Sequence, residues 1–369
     1  MVVGGGTPDT NNHKYWNGDI QWFTPSEIGR DKYVTNSLRT ISEEGLNKSS
    51  AKLLPIGTIL LSSRATVGEC SINKVECTTN QGFQSLIPKE YFSKEFVFYL
   101  MQTKRKELIR KSCGSTFLEI SANEVRKIKI EVPTPKEQEK ISKLLALLDE
   151  RITTQNKIIE DLKKLKCAIS KYLFERKDLF ENKIKLSKVA ELKNGYAFQS
   201  SKYNALGKWK ILTIANVAGE RYVKTNECNS VIEIPYDIQK HQKLEANDIL
   251  ISLTGNVGRV SLCTEGLFLL NQRVGLLQLK VSEDREYIYQ ALSSHKFENS
   301  MIACAQGAAQ MNIGKGDVEN YILPYSFNKE NINSVASVLK NYDKYIINEI
   351  NMLSMLHSQK QYLLRQMFI

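Results

Sequence analysis

Two stretches of the chain repeat apolar residues at alternating steps of four and three. The first runs through Ile141, Leu145, Leu148, Ile152, Gln155, Ile159, Leu162, Lys166, Ile169 and Leu173. The second runs through Val335, Leu339, Tyr342, Ile346, Glu349, Leu353, Leu356, Lys360, Leu363 and Met367, at a constant offset of 194. A 3.5-residue period is the a/d seam of a heptad. Each run predicts one helix of about 40 residues, roughly 60 Å at 1.5 Å per residue. Pro133 and Pro135 precede the first run and mark its start. Both seams turn polar at the same two places, Gln155/Glu349 and Lys166/Lys360, and a polar seam residue trades stability for register. The expected interface joins Ile141, Leu145, Leu148, Ile152, Ile159 and Leu162 to Val335, Leu339, Tyr342, Ile346, Leu353 and Leu356, with the helices antiparallel. The alternative is that each helix packs on its own globular part.

Ahead of each helix lie short apolar runs bounded by Gly, Pro, Asn and Ser, such as residues 59–62, 249–253 and 267–270. These read as buried strands. Residues 92–110 and 286–301 read as helices. The duplication extends through these regions. Thr58-Ile-Leu-Leu-Ser-Ser-Arg-Ala-Thr-Val-Gly68 lies over Asp248-Ile-Leu-Ile-Ser-Leu-Thr-Gly-Asn-Val-Gly258, and Gly18-Asp-Ile-Gln-Trp-Phe-Thr24 over Gly207-Lys-Trp-Lys-Ile-Leu-Thr213. Asn80-Gln81 lies over Asn271-Gln272, and Gly114 and Ile120 over Gly307 and Ile313. The offset drifts from 189 to 193, as in a duplicated domain with small loop insertions. The expected class is α+β: two repeated mixed α/β domains joined by two long antiparallel coiled-coil helices, with pseudo-twofold symmetry. The expected division is 1–132, first domain; 133–178, first helix; 179–325, second domain; 326–369, second helix.

The 369 residues carry 51 basic and 40 acidic side chains, a net charge of +11. That surplus favours a polyanionic partner. Seven scattered cysteines with no CxxC pair read as reduced thiols, mostly small core residues. The longest aliphatic run, residues 144–148, is far too short to span a bilayer. The start, Met1-Val-Val-Gly-Gly-Gly6, lacks the basic and apolar regions of a secretory signal. No Walker-type phosphate loop, HExxH, Cys/His metal spacing, Asn-Pro-Pro-aromatic tetrad or Gly-x-Ser-x-Gly elbow occurs. Gly4-Gly-Gly6 follows too few residues for a strand to precede it, so it is not a dinucleotide fingerprint. The chain reads as a binder rather than a catalyst.

Several stretches resemble one family. Gly4-Gly-Gly-Thr-Pro-Asp-Thr10, Tyr15-Trp-Asn-Gly-Asp-Ile20, Trp22-Phe-Thr-Pro-Ser26, Ser62-Ser-Arg-Ala-Thr-Val-Gly68 and Thr79-Asn-Gln-Gly-Phe83 look like the target-recognition domain of type I restriction–modification specificity subunits. Pro135-Lys-Glu-Gln-Glu-Lys-Ile141 resembles that family's spacer. The resemblance covers essentially the whole chain. It implies a non-catalytic subunit of a bacterial or archaeal cytoplasmic complex, nucleoid-associated, with one domain on each half of a bipartite double-stranded DNA site and the helices acting as a ruler. It implies two docked modification (methyltransferase) subunits and, through them, restriction (ATPase/nuclease) subunits. S-adenosylmethionine, ATP and Mg²⁺ are then expected only in those partners. There is one departure: the second copy opens with Ile184-Lys-Leu-Ser-Lys-Val-Ala-Glu-Leu-Lys193, and the first copy begins almost at its glycines. The alternatives are a truncated or silent cassette product, and a coiled-coil scaffold without DNA specificity.

For a DNA reader, affinity comes from phosphates and specificity from base edges. Arg64 suits guanine or phosphate, with Ser63 and Thr66 beside it; Thr254, Asn256 and Arg259 are the second copy's counterparts. Asn80, Gln81, Gln272 and Arg273 offer amides and a cation, although recurrence of the Asn-Gln pair in both copies favours a structural turn. Lys104 and Arg105, in the run 104–111, form either a phosphate-tracking or a merely solvated helix face. The loops that differ between copies are the better specificity candidates, contributing Thr10, Lys14, Ser115 and Thr116 in the first and Gln199, Lys202 and Gln310 in the second. Trp16, Trp22 and Trp209 read as core.

Overall fold

The computed structural model describes residues 1–114, 118–281, 284–306 and 311–368. The chain divides into two compact units, Met1–Gln155 with Met352–Ile369, and Asn156–Asn351. Among the described residues, no helix is long and apolar enough to cross a membrane.

Among the described residues, the first unit contains eight strands, β1 (Val2–Gly4), β2 (Trp16–Phe23), β3 (Tyr33–Val34), β4 (Arg39–Ile41), β5 (Ile59–Leu61), β6 (Cys70–Asn73), β7 (Cys77–Thr79) and β8 (Gln84–Leu86). They form a five-stranded sheet, β1-β8-β5-β6-β3, and a three-stranded sheet, β4-β2-β7. Helices α1 (Glu43–Asn47), α2 (Lys94–Arg110) and α3 (Ala122–Arg126) precede the long α4 (Pro135–Glu175). The run Ile59-Leu-Leu61 shows why the strands are so apolar. Ile59 and Leu61 face a core shared with Val97, Phe98 and Met101 of α2, while Leu60 faces a second core with Phe23, Leu54 and Phe83. The side-chain period of two sends neighbours to opposite faces, and here both faces are covered.

The second unit repeats this plan. Its strands are β9 (Asn182–Lys185), β10 (Ala190–Asn194), β11 (Trp209–Leu212), β12 (Asn229–Val231), β13 (Lys243–Leu244), β14 (Ile249–Ser252), β15 (Val260–Leu262), β16 (Phe268–Leu270), β17 (Val274–Leu279) and β18 (Ile322–Tyr325). The sheets run β10-β17-β14-β15 and β12-β11-β16-β13. β2 pairs in parallel with β7 as β11 does with β16. β9 and β18 form an extra antiparallel pair; the repeat mates of β18, residues 128–131, form no strand among the described residues. The helix expected over 286–301 is two, α5 (Arg285–Leu292) and α6 (His295–Ala305), followed by α7 (Lys315–Glu319) and the long α8 (Lys329–Met367). The break has a local cause. Ser293 and Ser294 hydroxyls donate to the carbonyls of Gln290 and Ala291, and Ser294 adopts an extended backbone.

Both long helices form as the seam predicts. α4 opens on Pro135, with Thr134 and Glu137 exchanging bonds across the first turn (Thr134 N–H to Glu137 Oε2, 3.1 Å). Every seam position is buried or half-buried, while Leu144, Leu147, Ile158 and Leu165 between them are exposed. In the first unit, Leu145 and Leu148 share a core with Leu356 and Leu364. In the second, Lys166 Nζ reaches Asp343 at 2.6 Å and Asn331 Nδ2 reaches the Leu179 carbonyl at 3.1 Å. One chain advances as the other recedes, so the pairing there is antiparallel. The seam lysines are not mere interruptions: Lys360 likewise meets Asp149 at 2.5 Å. Trp16 and Trp22 are buried and meet edge to face. Fewer cysteines are core than expected. Cys70, Cys77 and Cys263 are buried, and burial pushes each thiol up to about 12. Cys113, Cys167 and Cys304 are exposed.

Candidate nucleic-acid interface

β5 and β14 each run into a loop closed by the same backbone bonds. Ser62 N–H donates to the Glu69 carbonyl (2.8 Å) and Gly68 N–H returns to that of Ser62 (3.1 Å); in the second unit Ser252 donates to Arg259 (2.9 Å) and Gly258 to Ser252 (2.9 Å). The serine hydroxyls brace the loop from within, Ser62 to the Arg64 carbonyl at 2.9 Å and Ser252 to that of Asn256 at 2.5 Å. Neighbouring segments frame it on both sides. Ser63 N–H donates to Gly82 and Ile120 N–H to Ser63; Leu253 N–H donates to Arg273 and Ile313 N–H to Leu253. This frame leaves Ala65, Thr66, Gly255 and Asn256 exposed, with Arg64 and Thr254 half-buried.

The frame corrects one expectation. Ser63 is fully buried, so it supports the loop and does not present its side chain to a ligand. Arg64 is exposed enough to reach out, but it is held by Glu119 at 2.8 Å. Asn80 Oδ1 accepts the Gly82 N–H (2.8 Å) and Asn271 Oδ1 the Arg273 N–H (3.1 Å), so both amides hold an Asx turn. These turns put Gln81 on the surface beside the first unit's loop, and Gln272 and Arg273 on the surface beside the second unit's. The glycine-bearing segments close the cluster: Thr7 Oγ1 donates to Gln81, and Gln272 N–H donates to the Tyr196 carbonyl. Gly5 packs so tightly on the Thr79 and Asn80 carbonyls that a Cβ would lie 2.0 Å from the latter. Thr10, Lys14, Gln199 and Lys202 are exposed on turns of the same two segments. Ser115, Thr116 and Gln310 lie outside the described residues.

The helix cations are partly committed. Arg105 Nη1 meets Glu69 at 2.8 Å. Its mate position holds Glu298, which meets Arg259 at 3.4 Å. The two copies therefore keep one ion pair with the charges exchanged. Lys104 is half-buried, and Lys106 and Arg110 are exposed.

Periodicity did not reveal a charge cluster at the helix pair of each unit, buried in the second and partly buried in the first. In the second unit Arg221 binds Glu286 (2.8 and 2.6 Å) and Asp343 (2.9 Å), and Gln290 bridges both acids (2.8 and 2.6 Å). Burial pulls the Arg221 guanidinium down, but Glu286, Tyr222 and Asp343 outweigh it and hold it above its usual range. In the first unit Lys32 donates to Tyr99 (3.1 Å), and Tyr99 donates to Asp149 (2.7 Å). Burial lowers the Lys32 ammonium, opposed by Asp149 and Glu95, and raises the Tyr99 phenol. The signal in the sequence is the matched lysine in each seam, whose ammonium must either reach solvent or meet a carboxylate. A cavity of about 990 Å³ opens beside Arg221 and Asp343, with Lys171, Lys224 and Lys296 among its lining and Ile346 and Ile350 on its apolar side.

Comparisons place this architecture. The family model described as type I restriction modification DNA specificity domain matches residues 2–164 and again 180–352. The chain is 38% identical over 185 residues to the MjaIX type I restriction enzyme specificity subunit of Methanocaldococcus jannaschii, covering 49% of this chain and 43% of that protein. It is 30% identical over 185 residues to the EcoR124I/EcoR124II specificity subunit of Escherichia coli, covering 48% and 45%. The matched stretch thus spans less than half the length of each of these relatives. Two solved structures share the fold at 16% identity. One is the S subunit of a type I restriction–modification system from M. genitalium (TM-score 0.57, 98% of this chain and 99% of that one). The other comes from work on complex assembly and conformational transition of the type I system (TM-score 0.61, 99% and 95%). With two matches that follow the internal duplication and together cover most of its length, the chain belongs to the type I restriction modification DNA specificity domain family.

Proposed function

We propose that this chain is the DNA-reading subunit of a type I restriction–modification complex, each unit recognising one half of a bipartite duplex site. One observation supports this above all: the same loop is built twice on the same backbone bonds, but with different exposed side chains. Arg64-Ala-Thr66 stands in one unit and Thr254-Gly-Asn256 in the other. A shared frame with divergent tips is what two readers of different half-sites require. The chain does no chemistry itself. S-adenosylmethionine, ATP and Mg²⁺ act in modification and restriction subunits that assemble on it in the cytoplasm. Two modification subunits dock along α4 and α8, and the spacing between half-sites follows helix length.

Selection of the full chain against random-sequence duplex DNA tests this. The expected product is a split site, two short unlike half-sites at one gap, with binding that falls steeply as salt rises. Arg64→Ala is expected to relax one half-site only and Asn256→Ala the other, each costing about 1–3 kcal/mol of discrimination. Recovery of no preferred sequence, or relaxation of both halves by one substitution, rejects the assignment.

A further inference from the structure

In each unit, one aspartate on a long helix gathers donors from separate elements. Asp343 on α8 accepts Lys166 from α4 (2.6 Å), Arg221 from the segment before β12 (2.9 Å) and Gln290 from α5 (2.6 Å). Asp149 on α4 accepts Lys360 from α8 (2.5 Å) and Tyr99 from α2 (2.7 Å), and Tyr99 is in turn bound by Lys32 (3.1 Å). The places are equivalent under the repeat. Asp149 and Asp343 are mates, as are Lys166 and Lys360, Tyr99 and Gln290, and Lys32 and Arg221. Asp343 and Arg221 are each only 7% exposed at the side chain.

Stability does not explain such clusters. Desolvating charges costs about as much as their attraction returns, and apolar residues of similar volume often do as well. What buried, multiply bonded charges supply is a single geometry. Here the elements tied together are the two long helices and the globular part that carries the loops. We infer that Asp149 and Asp343 are positioning residues that hold each reading domain at one angle on its helix pair and so make the subunit sensitive to single-base-pair changes in the gap. This rests on the DNA-reading function proposed above. One added base pair moves a half-site by about 3.4 Å and turns it by about 35°. A domain pinned at several donors cannot follow that turn without breaking bonds, whereas a loosened one can.

The test uses the full chain and the split site selected by the wild type, in duplexes with gaps from two base pairs shorter to two longer. Wild type is expected to lose about 10-fold or more in affinity for each base pair of misfit. Asp343→Asn is expected to bind the gaps one base pair either side within about 3-fold of the best one, with the half-site bases it prefers unchanged. Lys166→Gln leaves Asp343 bonded to Arg221 and Gln290, so the domain fold is kept if Asp343→Asn does not fold, and it is expected to broaden the same profile. Arg273→Ala, in a reading loop, is expected to lower affinity equally at all gaps. A folded Asp343→Asn or Lys166→Gln with the wild-type profile overturns the inference. A wild type with no split site overturns the DNA-reading function instead, a distinguishable result.

Discussion

Ala65 sits in the left-handed region at φ 57°, and its repeat mate is Gly255 at φ 71°. A Cβ there costs about 1–2 kcal/mol against the following carbonyl. The first copy therefore holds strain at the tip of a candidate reading loop, where strain is commonly retained for function. Ala65→Gly is expected to raise unfolding stability by about 0.5–1 kcal/mol, seen as a higher urea midpoint of the full chain. An unchanged or lower midpoint contradicts this. At this scale the sequence was only partly legible. The repeat located the loops, because glycines and serines needed for a turn recur at fixed spacing. It did not separate side chains that hold the turn from those that face outward. Ser63 looked like a surface contact, yet it is buried; Asn80, whose recurrence in both copies favoured a turn, does hold one with its side-chain oxygen. Arg105 and Arg259 looked like free cations, yet each meets a glutamate brought in by tertiary folding.

Elements were the most legible level, since a heptad writes its burial pattern along the chain. The seam positions are all covered, and Asp149 and Asp343 turn the two odd lysines into register marks. The mixed domains were legible as strands but not as sheets, because sheet order depends on long-range pairing that no local period encodes. The single helix expected over 286–301 failed at Ser293-Ser294, where side-chain hydroxyls compete for helix carbonyls. The helices also carry apolar residues that the seam does not use. Ile158, Leu165 and Tyr172 recur every seven residues on α4 and are 41%, 47% and 63% exposed; Val338 and Tyr345 do the same on α8 at 43% and 61%. Exposed apolar rows mark association surfaces, and the proposed modification subunits are suitable occupants. Ile158→Glu with Leu165→Glu is expected to abolish co-purification with the modification subunit while the helical circular dichroism and melting of the chain alone stay as in the wild type. Retained co-purification excludes this row as the docking face.

For the whole molecule, duplication explains more than any single contact. A chain that repeats both its mixed domain and its long helix has two surfaces of one design, and Asp149 and Asp343, each beside the seam, meet the seam lysine contributed by the other copy's helix. Under the proposed DNA-reading function, helix length is the quantity that sets the gap between half-sites. Asp149 and Lys166 lie 17 residues apart on α4, as do Asp343 and Lys360 on α8. Seven residues can be removed between them on each helix without deleting a member of either ion pair. Loss of one heptad shortens a helix by about 10.5 Å, which corresponds to about three base pairs at 3.4 Å each. The double deletion is expected to select the same two half-sites at a gap shorter by about that amount, and a deletion in α4 alone is expected to lose the split site because the seam no longer matches its partner. Random-sequence selection reads both results directly. An unchanged gap in the double deletion means that the spacing of the half-sites is set elsewhere than in the helices.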